Sequence, residues 1–218
     1  MFNQNLEESA EGTADLFRAV DPVLLRSTFQ LMGFLLEEGG PLSLERVASG
    51  LGISREEASA ILKGLRAMGA EFDEEGNFVG MGLTLIPTPH RYELDGRRFY
   101  VWCSGDAIHF PAVFGHSAII DSPDPINGEK VRLTATPKGV EFVEPATAVM
   151  SNRSKGVNVE NPRGTGCHYG HFFVSPETAS EYVALHPNAV LEVVTVEDAF
   201  RIAQIVSEQE PLKSIPAR

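Results

Sequence analysis

The chain has 218 residues, two cysteines and a formal net charge of −12, from 18 Lys/Arg against 30 Asp/Glu. This length supports one large domain or two small ones, and such an acidic balance repels phosphate backbones. No apolar run is long enough to span a bilayer, and the N-terminus has no basic stretch followed by an apolar one, so a cytoplasmic chain with reduced thiols is expected.

The first ten or so residues are polar and acidic and read as frayed. Leu24, Leu25, Phe29, Leu31, Met32, Leu35 and Leu36 make an apolar stripe that predicts a helix over 23–36. Glu37-Glu38-Gly39-Gly40-Pro41 stops it. Ser43 caps a short second helix, and Gly50-Leu51-Gly52 turns the chain. Ser54-x-x-Glu57 is a capping-box pattern. It opens a third helix with Ala58, Ile61, Leu62, Leu65 and Met68 on one face. A turn at 73–77 and a strand-like run over 78–86 follow.

Helix, helix, turn, helix and hairpin is the order of a winged helix. A duplex reader needs a basic stripe. Residues 1–88 carry six Lys/Arg against fourteen Asp/Glu, so this region reads as scaffold without DNA binding.

From Pro87 the pattern changes. Strand-like runs at 91–94 and 98–102 flank Asp95-Gly96-Arg97, a hairpin signal. A short helix is predicted over 107–114, with Pro111 limiting its regularity. Strands are expected at 117–121, 131–136 and 140–149, and a polar loop at 151–166. A short strand at 171–174, a helix opening at Pro176, a strand at 190–196 and a helix at 197–206 complete the chain, with a loose tail. The fold class is α+β: a winged-helix-like region over 1–88, then a mixed-sheet catalytic region over 89–218.

Cys103 lies at the strand-to-helix switch, where a helix N-terminus favours a thiolate. Asp106 is three residues on, and so on the same face if the segment is helical. Cys167 sits in a Gly-rich loop, beside His168 and four residues before His171. Two thiols suit a soft, thiophilic ion, and a carboxyl group beside them can carry a proton. A structural zinc site needs four closed ligands, and neither cysteine belongs to a Cys-x-x-Cys knuckle. A Cys–His dyad has no recognisable oxyanion hole here. Two inert core thiols are the plain alternative.

Trp102-Cys103-x-x-Asp106, followed by Phe110-Pro111-Ala112 and Gly115, resembles the first active-site motif of the organomercurial lyase (alkylmercury lyase) family. Cys167-x-x-x-His171-Phe172-Phe173 resembles its second cysteine motif. Val143-Glu144-Pro145-Ala146, the run 80–85 with Pro87-Thr88-Pro89-His90, and Val196-Glu197-Asp198-Ala199-Phe200 are similar to other family segments. Ser104-Gly105 and His109 depart from the usual pattern.

The resemblance implies protonolysis of the carbon–mercury bond, giving a hydrocarbon and Hg(II), and so mercury detoxification. It implies Cys103, Asp106 and Cys167 as catalytic residues and as holders of the Hg(II) product. No organic cofactor is implied. Small thiols release the mercuric ion, and mercuric reductase is an acceptor for it. A different reading makes the chain a metal-binding or metal-sensing protein that uses Cys103, Cys167, His168 and His109 without breaking a bond. A third makes it a DNA-binding metal regulator, which the acidic N-terminal region disfavours. Trp102 reads as core or as a wall of the site, and Phe172 and Phe173 as core strand residues.

Overall fold

The computed structural model describes residues 6–153 and 155–214. The chain opens with helix α1 (Leu6–Arg18), where a frayed start was expected; residues 1–5 lie outside the described part. Its acidic face hides a short apolar one, with Ala10 and Ala14 buried.

Helices α2 (Pro22–Glu38), α3 (Leu44–Leu51) and α4 (Arg55–Ala67) follow in the order read from the stripes. Each begins at a side-chain cap. Asp21 accepts from the Val23 and Leu24 amides, and Ser43 from Arg46. Ser54 and Glu57 form the reciprocal capping box. Gly39 ends α2 in the left-handed region at φ 70°. Leu31, Leu35, Val47, Ala58 and Leu65 are fully buried, so these helices share one core.

Strands β1 (Glu71–Phe72), β2 (Phe78–Met81), β3 (Leu83–Thr84), β4 (His90–Leu94) and β5 (Arg97–Val101) come next. The single strand expected over 78–86 is broken at Gly82, whose φ of 79° reverses the chain between β2 and β3. The Asp95-Gly96 hairpin forms as expected, with φ of 50° and 74°, the left-handed pair of a tight hairpin turn. Helix α5 (Ser104–Phe114) starts three residues earlier than expected, because Cys103 caps it.

Strands β6 (Ala118–Pro123), β7 (Lys130–Thr136), β8 (Gly139–Glu144) and β9 (Val149–Asn152) follow. The run expected as one strand over 140–149 divides into β8 and β9, which lie in different sheets. The expected polar loop over 151–166 is partly ordered: its first residues continue β9, and helix α6 (Pro162–Thr165) lies near its end. Then come a 3-10 turn (Cys167–Tyr169), β10 (Phe172–Phe173), α7 (Pro176–Leu185), β11 (Glu192–Thr195) and α8 (Val196–Ser207). A second 3-10 turn, Leu212–Ser214, buries Leu212 where a loose tail was expected. The tail's last residues, 215–218, lie outside the described part.

The larger sheet has the order β1-β2-β3-β5-β4-β6-β7-β8, and the smaller one β10-β9-β11. Every described pairing is antiparallel, so the fold is α+β with antiparallel sheets rather than the mixed sheet expected. The turns explain this for the hairpins: β4–β5 and β7–β8 are joined by links too short for a parallel crossover. Strands β1 to β3 join the larger sheet through β3–β5, and α2 meets α5 where Phe29 packs against Phe114, ring centres 6.1 Å apart.

Phe172 and Phe173 point into different clusters, the first into the main core and the second into a small one with Val149, Ala179 and Tyr182. Among the described residues no single helix is long and apolar enough to cross a membrane. Helices α1 and α2 reach that length only together, across a bend of 102°, and most apolar residues of α2, from Leu25 to Leu36, are packed in the core.

Asp124 fastens the two sheets together, although the sequence marks it only as a turn residue. It is 1% exposed. Its carboxylate accepts from the Ile126 amide at 2.8 Å, the Val174 amide at 2.9 Å and the Thr178 hydroxyl at 2.6 Å. Asp124→Ala strips partners from two amides and a hydroxyl at once. It is expected to cost about 3 kcal/mol and to lower the melting temperature by about 6–12 °C, read by calorimetry.

Candidate active site

The site is built where β5 runs into α5. Trp102 follows the strand directly, and Cys103 holds an extended conformation (φ −153°, ψ 172°) as the helix cap. Its sulfur accepts from the Asp106 amide at 3.4 Å. That contact sets the first turn and brings the Asp106 carboxyl back over the thiol. Cys103 Sγ–H then donates to Asp106 Oδ2 at 3.3 Å.

Cys167 comes from the 3-10 turn far along the chain. Its thiol reaches the same Oδ2 at 3.8 Å. The sulfurs of Cys103 and Cys167 and an Asp106 oxygen all lie within 4.8 Å of one another, the one such metal-capable cluster among the described residues. The fold thus brings together all three residues singled out in the sequence. His168 is exposed and packs edge-on against Tyr169 at 5.0 Å, outside this cluster. His109 is also outside it.

Backbone and serine contacts lock the two segments. The Ser104 amide donates to the Gly170 carbonyl at 3.2 Å. Ser151, 1% exposed, donates to the Tyr169 carbonyl at 2.6 Å and accepts from the His171 amide at 3.0 Å. Gly170 lies against the first thiol: a Cβ there would stand 2.8 Å from Cys103 Cβ and 3.4 Å from its sulfur. Nothing in the sequence around Ser151 or Gly170 marks these roles, because they depend on segments that meet only in the fold.

Burial dominates the electrostatics. Cys103 is 8% exposed, while Asp106 and Cys167 are half-buried. Desolvation raises the Asp106 carboxyl from 3.8 to about 6, against the pull of the thiol contacts. The contact with Cys167, then burial and the Asp106 charge, push the Cys103 thiol well above its ordinary value. For Cys167 the Cys103 contact favours the thiolate, but burial and Asp106 outweigh it and the net shift is upward. Arg163 of α6 acts on Cys167 in the thiolate's favour. Arg163 also pairs with Glu71 and lies 5.0 Å from the Trp102 ring centre, while Trp102 Nε1 donates to Glu71 at 3.0 Å.

The three residues line a cavity of about 220 Å³. Its walls are mainly apolar: Leu16 and Phe17 from α1, Phe29 and Met32 from α2, Phe110 and Val113 from α5. The arrangement can hold a soft ion between two sulfurs, with a proton-carrying carboxyl in reach and an apolar chamber for a carbon group.

The comparisons with known proteins agree with this chemistry. The family model "MerB: Alkylmercury lyase" matches residues 83–208, which include both cysteines and Asp106. An alkylmercury lyase of Staphylococcus epidermidis is 37% identical over 201 residues, covering 92% of this chain and 91% of that protein. Those of Bacillus cereus and Pseudomonas putida are 38% and 37% identical, covering 79% and 78% of this chain and 77% and 78% of their own lengths. The crystal structure of the mercury-bound form of MerB2 has the same fold, with a TM-score of 0.76 at 21% identity over 93% of this chain and 98% of that one. With the family model covering more than half the chain and a 37% identical relative matching along 92% of it, this chain belongs to the alkylmercury lyase family.

Proposed function

We propose that this enzyme cleaves the carbon–mercury bond of organomercurials by protonolysis, with Cys103, Cys167 and Asp106 as its catalytic residues. The observation that carries the reading is the convergence of both thiols on one Asp106 oxygen, at 3.3 and 3.8 Å, in an apolar cavity.

The substrate arrives as R–Hg–X, with X a small thiolate. Cys167 is the better first nucleophile, being the less buried thiol and the one that Arg163 favours. It bonds to mercury, and its proton leaves with X. Cys103 binds next and passes its proton along the existing S–H···O contact to Asp106. Sulfur donation weakens the carbon–mercury bond, and Asp106 protonates carbon as that bond breaks. The products are R–H and Hg(II) held by two thiolates, with no change in oxidation state. A carboxyl at about 6 suits this shuttle, since it can both take and give a proton near neutrality. Asp106 then faces the mercuric ion as a further ligand.

Small thiols carry the ion off, and mercuric reductase is the next acceptor. The N-terminal region (1–88) serves as wall and scaffold: α1 and α2 supply cavity residues. Within it Arg55 pairs with Glu45, and Arg66 lies over Phe72, so these bases already have partners.

Headspace gas chromatography tests the reading. Incubation with phenylmercury or methylmercury and excess thiol is expected to release benzene or methane. Tight mercury binding with no hydrocarbon above the thiol-only control would overturn it in favour of a metal-binding protein.

Gly170→Ala gives a second check. At φ −90° the backbone accepts alanine, so only the clash with Cys103 acts. The 2.8 Å approach to Cys103 Cβ is relieved only by moving the two segments apart, so kcat/KM is expected to fall by about 10–100-fold and the melting temperature to fall with it.

A further inference from the structure

Two buried polar atoms on residues lining the cavity have no hydrogen-bond partner among the described residues: His109 Nε2 and Asn152 Nδ2. The first sits on α5, one turn beyond Asp106; the second ends β9. Their chemistry is complementary. His109 Nδ1 lies 3.0 Å from the Gly105 carbonyl, which can only accept. The ring proton is therefore on Nδ1, and Nε2 presents a bare lone pair. Burial lowers the His109 pKa and keeps the ring neutral. Asn152 Nδ2 is a donor. Neither bonds the other, since each lacks any partner.

A mainly apolar chamber thus has in its lining one unpaired acceptor and one unpaired donor, both buried. An unpaired buried polar group is costly and selects a ligand that satisfies it. We propose that His109 and Asn152 form a polar subsite for the organic group, selecting organomercurials whose carbon skeleton bears a hydroxyl. The hydroxyl donates to His109 Nε2 and accepts from Asn152 Nδ2. This inference rests on the lyase reading and adds a substrate class to it.

The test compares hydroxyphenylmercury with methoxyphenylmercury at the ortho, meta and para positions, as thiol adducts. The two substituents push electrons into the ring similarly, but only the first can donate a hydrogen bond. In the wild type, kcat/KM is expected to favour the hydroxy compound by about tenfold at one ring position. His109→Leu and Asn152→Leu should each bring that ratio close to one, and His109→Gln, which keeps an acceptor, should retain part of it. The ratio is read within each protein, so a general loss of activity in one variant does not imitate the effect, and either Leu variant suffices. Equal ratios in the wild type and both Leu variants would overturn the subsite while leaving the lyase intact. Absence of benzene from phenylmercury with the wild type would instead remove the lyase reading and this inference with it.

Discussion

Cys103→Ser and Cys167→Ser are each expected to reduce hydrocarbon release to the level of the thiol buffer alone. A hydroxyl is a hard, weakly acidic group and cannot replace a thiolate on mercury. With one sulfur left, mercury lacks the second electron pair needed to loosen its bond to carbon. The double variant should be no worse than either single one, since the two thiols act as a unit. Cys103→Ser is the cleaner case. Cys103 caps α5, and serine is among the best residues at that position. Its melting temperature should therefore equal or exceed that of the wild type, and the loss is chemical. Activity well above background in either variant would remove the two-thiol mechanism. Gas chromatography and calorimetry on the same preparations decide the matter.

Asp106→Asn separates catalysis from stability in opposite directions. The amide can still accept from both thiols but cannot carry the proton. Activity is expected to fall by about 10²–10⁴-fold, the usual worth of a positioned acid. The stability effect follows from the raised carboxyl, at about 6 in the folded chain against the ordinary 3.8. Between these values the folded protein keeps a proton that the unfolded chain has released. Wild-type stability is thus fully present below about pH 3.8 and falls as pH rises to about 6. Asparagine has no such loss. Above pH 6 the variant should be the more stable by about 3 kcal/mol, or about 6–12 °C in melting temperature. The gap should close as pH falls towards 4. A variant less stable than wild type at pH 7.5 would mean that Asp106 is ionised at little cost in the folded chain.

The sequence carried much of this site locally. Cys103 and Asp106 stand three apart across a helix start, so one cap places both. The capping box of α4 and the Asp95-Gly96 hairpin are equally local, and both formed as expected. Cys167 stood out in the sequence as the second thiol, but no local rule brings the 3-10 turn to α5, and only the resemblance to a family motif joined it to Cys103 and Asp106. Helix α1 was missed since charge dominates its sequence, and the few apolar residues that close the cavity matter only against distant partners. The mixed sheet was wrong for a related reason: strand direction depends on which strands meet, and that is not written in any one of them. His109 and Asn152 illustrate the limit most clearly. One looked like a helix histidine and the other like a loop amide, and their shared cavity exists only in three dimensions.

Helix α1 also packs against α8, so an early element of the chain rests on a late one. On the ribosome, α2 to α4 can assemble from neighbouring segments as they emerge, but the chamber cannot close until α8 is free. Throughout that interval Cys103, and later Cys167, are ordinary open thiols without a wall around them. A nascent chain made in the presence of mercury can be captured by the metal before it becomes able to process it. Chains synthesised before exposure should therefore yield more active enzyme per molecule than chains synthesised during it.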